Sequence, residues 1–216
     1  MNASAPVITP GLYAVTPAGW PAERLLSAVD EALAGGLSLL QYREKPKPDV
    51  DVARALLARC RRAGVPLIIN DDVELAAEIG ADGVHLGRED GELHRARERL
   101  GPKALIGVSC YNDLDRAGQL ARNGADLLAF GSLFDSPTKP AAVHCPLSVL
   151  DQARRFGLPV CGIGGVDLER APQAIAAGAD LLAVITDLFE AADIAQRARD
   201  YAALFAAHPT QQGTPS

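Results

Sequence analysis

Aromatic residues are scarce in this chain, at 5%, with one Trp and one Met. With 48% hydrophobic residues a sizeable core is still within reach. It must be built from Ala, Leu, Val and Ile, a composition suited to parallel strands covered by helices. No C-x-x-C pair and no close cluster occurs among Cys60, Cys110, Cys145 and Cys161. The usual zinc spacings are therefore missing, and free, mostly buried thiols in a reducing cytoplasm are the simplest reading. His144 beside Cys145 has no partner ligands nearby in sequence and reads as a loop dipeptide. No apolar run approaches membrane-spanning length, and no basic start followed by an apolar stretch marks a leader. A basic excess is missing too. Formal net charge is −6, so the basic face of a general nucleic-acid binder is not expected. A few cations can still converge on an anion.

What the chain does have is a repeated unit: an apolar strand, a short loop, an amphipathic helix, then Gly. The joint between helix and next strand recurs as Gly80-Ala81-Asp82, Gly124-Ala125-Asp126 and Gly178-Ala179-Asp180, with Ala34-Gly35-Gly36 a looser version. Gly at each joint fits a left-handed helix C-cap. The pattern implies βα units, and right-handed crossovers then give a parallel sheet. Eight strands are expected, near residues 12–16, 37–42, 67–70, 83–86, 105–109, 127–130, 160–163 and 181–185, with helices between them near 22–34, 50–63, 73–79, 93–100, 114–123, 147–156, 168–177 and 194–205. Eight such units in 216 residues predict a single-domain (β/α)8 barrel over residues 11–206, with an N-terminal extension before it and a disordered polar tail from 207. An open doubly wound sheet would want a G-x-G-x-x-G turn after its first strand. That strand ends instead in Thr16-Pro17-Ala18-Gly19-Trp20.

In a barrel every strand's C-terminal tip faces one mouth, where ligands bind. Two apolar runs switch abruptly to charge at that tip: Gln41-Tyr42-Arg43-Glu44-Lys45 and Asn70-Asp71-Asp72. Their cations can hold phosphate oxygens and their carboxylate a hard metal ion. The fourth strand brings His85 and, in the loop beyond it, Arg88, Glu89 and Asp90. The fifth brings Ser109, and the loop after the sixth carries Ser136, Thr138 and Lys139. Asp71 and Asp90 on neighbouring tips would repel unless a cation lies between them, and magnesium takes one or two protein carboxylates with phosphate oxygens and water. Each also precedes a helix and could cap it. Asp72 fits the cap better, which leaves Asp71 for the metal. Arg88 and Glu89 read as solvated, Glu44 as a structural pair, and His85 as a structural histidine. Gly164-Gly165 on the seventh tip allows close backbone approach, and Thr186 on the eighth adds a hydroxyl. Barrels often bind phosphate there. One phosphate site and a separate magnesium and basic group together suit two anionic substrates, one of them a magnesium diphosphate.

These residues resemble those of the thiamine-phosphate synthase family from Gly11 to about Phe205. The motifs are Gln41-Tyr42-Arg43-Glu44-Lys45, Ile69-Asn70-Asp71, Gly83-Val84-His85-Leu86-Gly87 with Glu89-Asp90, Ile106-Gly107-Val108-Ser109, Thr138-Lys139-Pro140 and Ile163-Gly164-Gly165. Singly each is weak; in this order they are specific. The resemblance implies a transferase that joins 4-amino-2-methyl-5-(diphosphooxymethyl)pyrimidine to a thiazole phosphate, plain or carboxylated, to give thiamine monophosphate and diphosphate. It implies a pyrimidine diphosphate site at Gln41, Arg43, Lys45, Asn70, Ser109 and Lys139. It implies Mg2+ on Asp71 and Asp90, and a thiazole phosphate site at Ser136, Thr138, Gly165, Ile185 and Thr186. Arg43, Ser109 and Lys139 are the catalytic candidates. The implied chemistry is dissociative: diphosphate leaves, a pyrimidine methyl cation forms, and the thiazole nitrogen attacks. A thiazole tautomerase or a regulatory thiazole-phosphate binder on the same fold is the runner-up. A phosphosugar isomerase would need an acid/base pair at the mouth, for which only His85 offers itself. The expected partners are small-molecule substrates, and Ala-rich helices allow a homo-oligomer.

Overall fold

Parallel strands can be joined only by long crossovers, so where each helix stops decides where the next strand starts. In the computed structural model, which describes residues 8–87, 92–135 and 143–208, eight strands close into a parallel barrel in chain order. They are β1 (Gly11–Val15), β2 (Leu39–Tyr42), β3 (Leu67–Asn70), β4 (Gly83–Leu86), β5 (Leu105–Tyr111), β6 (Leu127–Phe130), β7 (Val160–Ile163) and β8 (Leu181–Val184). Around them run α1 (Ala22–Gly35), α2 (Val50–Ala63), α3 (Val73–Ile79), α4 (Glu92–Leu100), α5 (Leu114–Arg122), α6 (Ser148–Ala153), α7 (Ala171–Ala176), α8 (Thr186–Phe189) and α9 (Ile194–Ala207). Among the described residues no helix is long and apolar enough to cross a membrane. All four cysteines are free and buried.

The Gly-Ala-Asp joints do two jobs, of which the sequence pattern revealed one. Gly80 adopts φ 68° and caps α3, its N–H donating to Ala76 O. The Asp of each joint then clamps the preceding strand by a pair of bonds. Asp82 N donates to Leu67 O, and Asp82 Oδ2 accepts from Leu67 N at 2.8 Å. Asp126 and Ile106 repeat the exchange, with the carboxylate arm at 2.8 Å. Asp180 and Val160 repeat it again at 2.9 Å. The carboxylate supplies the acceptor that each of these N–H groups, on Leu67, Ile106 and Val160, needs near the opening of its strand. These clamps lie at strand N-termini, the face away from the mouth.

Side chains alternate along each strand. Leu12, Ala14, Leu40, Ile69, Val84, Ile106, Leu128 and Leu182 pack outward under the helices. Tyr13, Val15, Leu39, Ile68, Leu105, Leu127, Cys161, Leu181 and Ala183 fill the barrel interior. The interior is thus a packed core and not a channel.

Boundaries differ from expectation where regular patterns are short. β5 runs to Tyr111, past the expected end at Ser109, through a register shift between Ser109 and Tyr111. The expected helix over 168–177 starts only at Ala171. Asp167 accepts from Arg170 N at 2.8 Å in the turn before it, and Pro172 stands at its opening. The helix expected over 147–156 is α6 followed by a 3₁₀ turn, Arg154–Phe156. α8 was not expected at all. α9 runs to Ala207, the first residue expected in the tail; the remainder of the tail from 209, and the residues Arg88, Glu89, Asp90, Ser136, Thr138 and Lys139, lie outside the described residues.

Candidate active site

Four polar side chains occupy the last inward-facing layers below the barrel mouth. Gln41 Nε2 donates to Tyr13 Oη at 2.8 Å. His85 Nε2 lies 3.2 Å from Ser109 Oγ. The Tyr13 and His85 rings are 6.3 Å apart and tilted by 57°. Burial pushes the Tyr13 hydroxyl pKa upward and lowers that of His85 to about 4, opposed in part by the Asp71 carboxylate. The imidazole is therefore neutral near pH 7. Its Nδ1 is buried and has no hydrogen-bond partner among the described residues. Gly107, its register neighbour on β5, leaves room for it: a Cβ there would lie 2.6 Å from Nδ1. His85, expected as a structural histidine, is buried, but among the described residues only one of its ring nitrogens is partnered.

At the rim above this floor, Asp71 adopts φ 61°, a left-handed backbone that Asp tolerates better than most residues. Asp71 Oδ2 accepts from Asn70 Nδ2 at 2.7 Å and from Lys45 Nζ at 2.9 Å. No described group donates to Oδ1. The carboxylate is about half exposed, at 48%. An oxygen donor set with one free carboxylate oxygen fits a hard divalent cation such as magnesium, which keeps water and substrate oxygens as its other ligands. Asp72 next door does what was expected of it, capping α3 through Leu75 N at 2.8 Å.

The tips of β1 and β2 are laced together. Thr16 Oγ1 accepts from Arg43 N at 2.8 Å and donates to Arg43 O at 3.2 Å. Glu44 accepts from Gly19 N at 2.9 Å and from Lys45 N at 2.9 Å. The expected structural pairing of Glu44 therefore exists. Arg43, half-buried, meets no described carboxylate. Between the loops after β2 and β3 opens a cavity of about 380 Å³, lined by Lys45, Lys47, Asn70, Asp71, Glu74 and Arg95, among others. The structure thus brings Lys45, Asn70 and Asp71 together, with Gln41 and Ser109 below them.

Arg116 on α5 was not singled out from the sequence. Its Nε donates to Ser109 O at 3.1 Å and its Nη2 to Gly87 O at 3.1 Å. It ties the tips of β4 and β5, and hence Ser109, to one helix. An Arg in the first turn of a helix, its own N–H taken by the Asp113 cap, carries no chemical signature by itself. Only the fold places it under the mouth.

Across the barrel, Gly164 and Gly165 follow β7 with φ 97° and 63°. A Cβ on Gly165 would lie 2.7 Å from the carbonyl oxygens of Phe134 and Asp135. Arg170 holds this turn, donating to Gly165 O at 3.1 Å and stacking its guanidinium 5.7 Å from the Phe134 ring. β7 pairs with β8, so the glycines neighbour the β8 tip. There Ile185, with φ −116° and ψ −83°, precedes exposed Thr186, which opens α8. Tyr201 Oη and Arg197 Nη1 both bond the Asp187 carboxylate, each at 2.7 Å, and fasten α8 to α9.

Comparison with known proteins adds the following. A family model described as thiamine monophosphate synthase matches residues 12–188. The thiamine-phosphate synthase of Azoarcus sp. (strain BH72) is 54% identical over 200 residues, covering 91% of this chain and 97% of that one. The thiamine-phosphate synthase of Aromatoleum aromaticum is 49% identical over 199 residues, covering 90% and 96%. A solved thiamine phosphate pyrophosphorylase from Pyrococcus furiosus superposes with a TM-score of 0.79 at 30% identity, covering 92% of this chain and 96% of that one. A 3-hexulose-6-phosphate synthase from Salmonella typhimurium, with a TM-score of 0.72 at 18% identity and coverage of 91% and 99%, shares the fold alone.

Proposed function

The chain belongs to the thiamine-phosphate synthase family, and from that premise we propose how its residues divide the work of joining a pyrimidine diphosphate to a thiazole phosphate. The enzyme is a transferase that makes thiamine monophosphate; diphosphate is the leaving group. The observation that carries the reading is the trio Lys45, Asn70 and Asp71, joined by contacts of 2.7 and 2.9 Å at the rim above the Ser109 hydroxyl.

The reaction needs negative charge stabilised as the diphosphate departs, and two rings held in line. Arg43, Lys45 and Lys139 hold the diphosphate. Asn70 orients both the Asp71 carboxylate and the phosphate oxygens. Gln41, whose Oε1 takes no hydrogen bond among the described residues, and Ser109 face the aminopyrimidine from below. Asp71 and Asp90 are the ligands we assign to Mg2+, which when bound neutralises charge on the leaving diphosphate. Ser136, Thr138, Gly165, Ile185 and Thr186 take the thiazole phosphate. Tight glycine backbone, with Arg170 bracing it from behind, suits close approach of phosphate oxygens to main-chain N–H groups. No side chain is required as nucleophile. Four unpaired thiols, three of them pushed up to about 12 by burial, suit a reducing cytoplasm.

The test is release of diphosphate on mixing the two substrates with the protein. We expect release to need both substrates, to stop on adding EDTA, and to return with excess Mg2+. Binding of the thiazole phosphate without diphosphate release in any metal would support the regulatory or tautomerase alternative instead.

A further inference from the structure

A buried imidazole with one partnered and one orphaned nitrogen is constrained in where it can carry its proton. A proton on Nδ1 would leave a buried N–H donor with no acceptor, and so would the doubly protonated ring. Only the Nε2–H form leaves nothing worse than an unused lone pair, since a neutral imidazole has one donor and one acceptor. The Nε2–Oγ distance of 3.2 Å suits a hydrogen bond in which Nε2–H donates to Ser109 Oγ. The consequence passes to serine. Its oxygen is already an acceptor towards His85, and among the described residues no acceptor takes its hydroxyl hydrogen. Arg116 fixes the backbone beneath it at 3.1 Å. Ser109 is half-buried at the barrel mouth, so the hydrogen is aimed at whatever occupies the mouth.

We propose that His85 is a positioning residue. Its Nε2–H tautomer, set by the unpartnered Nδ1 packed over Gly107, makes Ser109 accept from the histidine and leaves the serine hydroxyl hydrogen to donate to an acceptor atom of the pyrimidine diphosphate. This rests on the placement of that substrate above Ser109. It adds the direction of the bond: Ser109 offers its hydrogen to a ligand atom that presents a lone pair.

Two measurements test it. Nitrogen-15 NMR of the imidazole in the wild-type, ligand-free protein should show Nε2 protonated and Nδ1 bare; an Nδ1–H signal overturns the proposal whatever the kinetics. Steady-state kinetics of His85→Leu, Ser109→Ala and the double variant should show coupling. Each single change should raise KM for the pyrimidine diphosphate about tenfold, with the thiazole phosphate KM within about twofold, and the double variant should be no worse than Ser109→Ala alone. His85→Gln, whose Nε2 supplies a donor near the same place, should recover most of the loss. Effects that multiply in the double variant overturn the coupling. A Ser109→Ala enzyme with unchanged KM overturns both this proposal and the placement of the pyrimidine over Ser109. An Nδ1–H spectrum with a Ser109→Ala defect overturns the proposal and leaves the placement standing. If His85→Leu does not fold, the wild-type spectrum and Ser109→Ala still decide.

Discussion

Lys45 Nζ and Asp71 Oδ2 are 2.9 Å apart, and both side chains are about half exposed, at 50% and 48%. This cation and carboxylate neutralise each other in the ligand-free protein, so on the proposed function the contact is shared or exchanged when a metal diphosphate binds. Exposed ion pairs contribute at most about 1 kcal/mol to stability. Lys45→Met should therefore leave the melting temperature within about 4 °C, while raising KM for the pyrimidine diphosphate at least about tenfold. Calorimetry alongside initial rates checks this, and a large melting shift would mean the pair is structural.

Asp71→Ala should lower turnover about a hundredfold, on the order of 3 kcal/mol at the transition state, with a native circular dichroism spectrum. Raising Mg2+ should recover part of the loss if Asp90 still holds the ion. Rates like those of the wild-type enzyme at ordinary Mg2+ would remove Asp71 from the site.

The three joint aspartates should behave in the opposite way. Asp82→Ala, Asp126→Ala and Asp180→Ala each leave a strand N–H without its carboxylate acceptor, at a cost of about 1–3 kcal/mol. Asp126→Ala should be the most damaging, because Asp126 Oδ2 also accepts from Arg97 Nη2 at 2.6 Å. Arg97 would be left among the carbonyls of Gly101, Ala104 and Gly124 without its counter-charge. Denaturant midpoints should fall while kcat/KM at 25 °C stays within about twofold. A specific loss of activity in a protein of unchanged stability would contradict the assignment.

Gly165→Ala puts a Cβ on a left-handed backbone against two carbonyl oxygens. The backbone alone costs about 1–2 kcal/mol. We expect a lower melting temperature and a thiazole phosphate KM raised at least about tenfold, with the pyrimidine diphosphate KM little changed. Equal increases for both substrates would place the turn outside the thiazole site.

Strand positions were legible where an apolar run is bracketed by punctuation. β3, β4, β6 and β7 each lie between a glycine at the end of the preceding helix and a tip that opens in glycine or a polar residue, and all four match expectation residue for residue. α8 was illegible because four residues complete barely one turn, too few to show helical periodicity. Asp82, Asp126 and Asp180 were visible as a repeat, but the partner of each is the preceding strand, about 15–20 positions back, and only closure of the barrel reveals it. In the site, Lys45, Asn70 and Asp71 could be read because charge at the end of a buried run has no packing explanation. His85 and Arg116 could not. A histidine and an arginine fit many ordinary roles, and their significance lies in which single atoms they face.

The glycine at position 107 sets a limit on evolution of this mouth. A methyl group there would intrude on the imidazole, so any lineage that enlarges residue 107 has to give up the histidine across from it, and with it the fixed polarity of the serine two residues on. Residues 85, 107 and 109 should therefore change together or not at all.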